Sequence, residues 1–163
     1  MSEQESPGRE RLHTYLNDHL AGSVAAIELL DNLIEHHSED RFGKFFSDLR
    51  DDISADQEKL RDLIGKVGGK ESALRKVAGW VSEKFGRAKI GDADDSAELL
   101  QALEGLALGI TGKRLLWRSL AAIAPNFTAV QGIDFNELEK RANAQFERVE
   151  ALRLEMSREA FRA

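Results

Sequence analysis

Apolar residues recur at helical spacing along most of the chain and divide it into five segments. The first stripe is Leu12, Leu16, Leu20, Val24, Ile27, Leu30 and Ile34. With Ser6 placed as a cap and Pro7 at the first helical position, it predicts a helix over 7–37. The second stripe, Phe42, Phe45/Phe46, Leu49, Ile53, Leu60, Leu63 and Val67, predicts a helix over 38–67, stopped by Gly68 and Gly69. A shorter segment over 71–85 carries Leu74, Val77, Ala78, Trp80 and Val81 on one side, and a polar loop follows over 86–95. The fourth and fifth segments open alike, with Asp95…Glu98 and Asp134…Glu137 at capping-box spacing. The fourth ends before Pro125. The fifth runs to about Phe161 with Leu138, Ala142, Val149, Leu152 and Met156 inward.

At 1.5 Å per residue the four long segments are each roughly 40–46 Å. Rods of matched length predict an all-α four-helix bundle around one core. The first and second have almost no linker between them and form an antiparallel hairpin; the fourth and fifth form another. Between the hairpins lie about 27 residues, enough to cross the whole length of the bundle with a short extra helix in the crossover. A five-helix up-down array is the alternative. Residues 1–6 are expected to be disordered and 7–163 to form a single domain.

Composition narrows the function classes. Of 163 residues, 42% are hydrophobic and 32% charged, a balance suited to one packed core under a polar surface. Cysteine is absent, which excludes disulfides, thiolate metal sites and a cysteine nucleophile together. A net charge of −6 argues against nucleic acid as a partner. Residues 1–12 are polar and include three glutamates, unlike a secretory signal. The most apolar stretch, Leu99–Ala124, is interrupted by Glu104, Lys113, Arg114 and Arg118, so no membrane association is expected and the location expected is cytoplasmic. Nucleophile-elbow, Walker and dinucleotide glycine motifs are all missing, and the expectation is a protein that is not an enzyme.

Helix order, lengths and crossover over residues 7–161 resemble a small bacterial ferritin-like protein. The stretches Tyr15-Leu-Asn-Asp-His-Leu-Ala-Gly22 and Ile27-Glu-Leu-Leu30 are also similar to that superfamily. The resemblance implies a di-iron centre made by one Glu from each of two helices and a Glu-x-x-His pair from each of the others. Glu-x-x-His occurs nowhere in this chain, and all four histidines, His13, His19, His36 and His37, belong to the first segment or its end. The acids Glu147 and Glu150 flank Val149 and read as a solvated face. No cofactor is therefore expected.

Each long stripe nevertheless contains one polar residue: His19, Asp56, Lys113 and Gln145. Counting outward from the turns places His19 level with Asp56 and Lys113 level with Gln145, all in one layer if the hairpins point oppositely. The layer is expected to be a buried polar network replacing the di-metal centre, with His19 bonded to Asp56 and the Lys113 ammonium standing in for the cation. The alternative is a divalent metal (iron, manganese or zinc) on His19 and Asp56 with Glu28, Asp52 or Glu104, which Lys113 would oppose. His36 and His37 are expected to be exposed. Gly105, Gly109 and Gly112 share a face of the fourth segment; each costs about 1 kcal/mol against alanine, which suggests close packing against Trp80 or Phe85, or against another subunit of a homodimer.

Overall fold

The computed structural model describes residues 6–68 and 96–163. The helix expected over 71–85 and the terminal residues 1–5 lie outside them. The described residues form four long helices, α1 (Pro7–His36), α2 (Arg41–Val67), α3 (Ser96–Ile123) and α4 (Phe135–Ala160), with two 3-10 turns, Ala124–Asn126 and Thr128–Val130, between α3 and α4. Among the described residues there is no strand, and no helix is long and apolar enough to cross a membrane.

Side-chain caps account for the helix starts. Ser6 Oγ accepts the Arg9 amide at 3.3 Å, with Pro7 at the first position as the sequence suggests. α2 begins three residues later than expected, because Asp40 rather than Ser38 supplies the cap and accepts the Phe42 amide at 2.8 Å. Asp134 caps α4 by accepting the Glu137 amide at 3.0 Å. Gly68 ends α2 in the left-handed region at φ 82, where a Cβ would be strained.

The turn between α1 and α2 is tight. A Cβ at Gly43 would collide with the main-chain carbonyl of His37, so only glycine fits there. His37 itself corrects the expected exposure: it is 6% exposed, donates through Nδ1 to Asp40 Oδ2 at 2.6 Å, and packs its ring against Phe42 and Phe46. Its aromatic neighbours and the adjacent carboxylate make burial cheap. His36 does face solvent, its Nδ1 donating to Asn32 O at 2.8 Å.

Cross-helix contacts fix the helix directions. Arg9 at the start of α1 donates to Val67 O (2.6 Å) and Lys66 O (3.3 Å) at the end of α2, while Asp31 pairs with Arg50, so α1 and α2 are antiparallel. Glu104 meets Arg153 at 3.5 Å and Arg118 meets Glu139 at 3.8 Å, so α3 and α4 are antiparallel. Arg41 pairs with Glu155 at 2.5 Å and Asp52 with Arg148, so α2 and α4 are antiparallel too. It follows that α2 and α3 run the same way, and α1 and α4 the other. One apolar core draws on all four helices, including Leu16 and Leu20, Phe46 and Leu63, Leu103 and Trp117, Val149 and Met156. Each such side chain, fully buried, is worth about 1.5–3 kcal/mol.

Candidate functional site

Asp56 is the centre of the polar layer. It falls on the inward stripe of α2 between Ile53 and Leu60 and is 2% exposed. A carboxylate so buried must be paired and hydrogen-bonded to be tolerated. Its Oδ2 accepts from Lys113 Nζ at 2.7 Å and from Gln145 Nε2 at 2.8 Å; its Oδ1 accepts from Arg141 Nε at 3.1 Å. Lys113 also donates to Gln145 Oε1, which closes a three-residue ring of hydrogen bonds across α2, α3 and α4. Gln145 is 2% exposed and the Lys113 side chain 15%. Burial pulls the Lys113 ammonium below its ordinary 10.5, against the raising influence of the Asp56 charge and hydrogen bond.

The structure thus brings together Asp56, Lys113 and Gln145, and adds Arg141. Sequence reasoning missed Arg141 because it lies beside the inward stripe Leu138, Ala142, Gln145 rather than on it. A side chain 40% exposed still reaches Asp56 because arginine is long enough to run along the helix surface. Its one available signal was position: four residues before Gln145, on the same face of α4.

His19 is the expected member of the layer that does not hydrogen-bond Asp56. The α1–α2 register sets Ser23 against Gln57, whose Nε2 donates to Ser23 Oγ at 2.9 Å, and Asp31 against Arg50. His19 lines one groove with Asp56 and Lys113, but Asp56 takes its hydrogen bonds from Lys113, Gln145 and Arg141 instead. His19 is half-buried and packs edge-on against Tyr15, centroids 4.7 Å apart. Burial lowers its pKa below 6.5, with Asp18 pulling the other way.

The other alternative metal ligands are dispersed. Asp52 pairs with Arg148, Glu104 with Arg153, and Glu28 is partly exposed on α1. Among the described residues no three His, Asp or Glu side chains converge. Of the outer acids, Glu150 is held below the usual carboxylate range by its hydrogen bond from Arg153.

Two hollows border the layer. A groove of about 190 Å³ between α1, α2 and α3 has His19, Asp56, Gly109, Gly112, Lys113 and Trp117 in its lining. A wider cleft of about 470 Å³ between α2 and the start of α4 interleaves Lys59, Lys66 and Arg141 with Asp62, Asp134 and Glu137, a lining that selects neither sign of charge. The expected packing of the glycine face is not supplied by the described residues: a Cβ at Gly109 or Gly112 would have nothing within 4 Å. Trp80 and Phe85, its expected intrachain neighbours, lie outside the described residues, and Gly105 is half-exposed. No protein-family model, curated protein or solved structure matches the chain.

Proposed function

We propose that the chain is a ferritin-like four-helix bundle in which a charged network replaces the di-metal centre, and that it acts as a non-enzymatic structural or protein-interaction protein. The helix directions support the bundle, since α2 and α3 running the same way need the long crossover of ferritin-like folds rather than the short turns of an up-down bundle. The observation that carries the functional reading is the Lys113 ammonium, buried between Asp56 and Gln145 at the middle of the helices.

A di-iron group does not fit these residues. The layer offers one carboxylate, already accepting from Lys113, Gln145 and Arg141, and a fixed positive charge where a cation would have to sit. The layer's chemistry is that of a register pin: each donor finds its acceptor only when α2, α3 and α4 align at one level. Metal analysis of protein purified without an affinity tag tests the reading. Iron, manganese or zinc below one-tenth of an equivalent per chain is expected. A full equivalent that disappears in Asp56→Ala would overturn it.

A further inference from the structure

α3 differs from the other helices in having an outward face without charge. Gln101, Gly105, Leu108, Gly112, Leu115 and Ser119 follow one another in alternating steps of four and three, the spacing of a helix–helix seam. Leu108 is 74% exposed and Leu115 54%, the two largest exposed apolar side chains within α3. Between them Gly112 is open, so the face reads as knobs and holes: a leucine, a gap one turn on, then a second leucine.

We infer that this face binds a second copy of the chain, with α3 of one copy lying antiparallel on α3 of the other. The inference gives a partner to the interaction role proposed above but does not depend on the polar layer. The pattern is self-complementary, which a twofold interface requires. With the axis level with Ile110, Leu108 stands opposite the partner's Gly112, Leu115 opposite the partner's Gly105, and Gln101 opposite the partner's Ser119. Each leucine then faces a glycine, the open one at Gly112 for Leu108, and neither leucine meets its own copy. Ser119 Oγ already accepts from Tyr15 at 3.3 Å, which leaves its own O–H to donate to the glutamine carbonyl of the partner.

Charge agrees with the same register. Glu104 and Arg118 flank one edge of the face, where they make long contacts of 3.5 and 3.8 Å to Arg153 and Glu139. In an antiparallel twofold pair like edges face each other, so Glu104 comes within one helical turn of the partner's Arg118, and Arg118 of the partner's Glu104. A parallel pair would instead set leucine on leucine and put Glu104 and the partner's Glu104 on opposite edges of the seam. The seam from Gln101 to Ser119 is about 27 Å long. An interface of one helix per copy is small, so a dimer with a Kd of about micromolar order is expected.

Sedimentation equilibrium from 1 to 200 μM tests the inference. A concentration-dependent dimer is expected. Gly112→Leu, which fills two holes per dimer in a place with room for a side chain, should weaken it at least about tenfold while the melting temperature holds or rises. Leu115→Glu, on the opposite kind of position, should do the same if Gly112→Leu unfolds the chain. Charge reversal separates orientations: Glu104→Arg alone weakens the dimer, and Glu104→Arg with Arg118→Glu restores it. Because the chain has no cysteine, a mixture of Leu108→Cys and Gly112→Cys proteins should cross-link to each other faster than either does to itself. A monomer throughout the range, a dimer indifferent to both seam substitutions, or self-cross-linking of Leu108→Cys alone would each overturn the inference.

Discussion

Around Asp56 three helices converge on one carboxylate, and each buried charge has a partner. Around His19, an imidazole rests against Tyr15 and lines a groove that Asp56 and Lys113 also border. Both residues interrupt apolar stripes, and burial acts on both regions in the same sense, lowering the pKa of Lys113 and of His19. The consequences differ because the starting points differ. An imidazole beginning near 6.5 becomes neutral at physiological pH and needs no counter-charge. An ammonium beginning near 10.5 has much further to fall, and in the core it hydrogen-bonds Asp56 and Gln145. One polar interruption specifies a partner; the other merely needs to shed its proton.

Removing the carboxylate breaks this contrast most severely. Asp56→Ala strands the Lys113 ammonium and should cost about 3–5 kcal/mol in urea denaturation, against less than ~0.5 if Asp56 were a surface residue. The double variant Asp56→Leu with Lys113→Met should return to within about 1 kcal/mol of the parent, or exceed it, since apolar replacement of a whole buried pair removes both desolvation costs. A double variant as unstable as Asp56→Ala would mean that shape, not charge, dominates the layer. Arg141→Met sharpens the contrast from within. The arginine is 40% exposed and its pair is screened by solvent, so the loss should stay under about 1 kcal/mol.

The smallest effect belongs to His19 and appears as a pH dependence. Its folded pKa lies below 6.5, so on acidification the unfolded chain takes up the proton first. The residue's contribution is present above pH 6.5 and is lost as pH falls from there through the lower folded value. His19→Gln should flatten that part of the stability profile and leave the plateau above pH 7 nearly unchanged. An NMR titration of the His19 ring with a midpoint at or above 6.5 would contradict the assigned burial.

Helix existence was legible because the apolar stripes are long and several boundaries carry a local device: Ser6 with Pro7, Gly68, Asp134. The levels of Lys113 and Gln145 were also legible. The two 3-10 turns between α3 and α4 return the chain evenly, so counting from either side of the connection matches the real register. The burial of His37 was not, because it depends on Phe42 and Phe46 closing around the ring, a tertiary event with no periodic trace. Arg141 escaped for a related reason: periodicity ranks positions by where Cα points, whereas a long side chain can bring its charge round from the flank.

Arg9 has a consequence for how the molecule opens. Its guanidinium bonds the last carbonyls of α2, groups that no helical amide can reach, while its own amide is tied to the Ser6 cap of α1. Two helix ends that would ordinarily fray independently are thereby joined. In hydrogen exchange the amides of the first turn of α1 and the last turn of α2 should be released together, in one opening event with one free energy. Arg9→Ala would divide that event in two, with the last turn of α2 exchanging first.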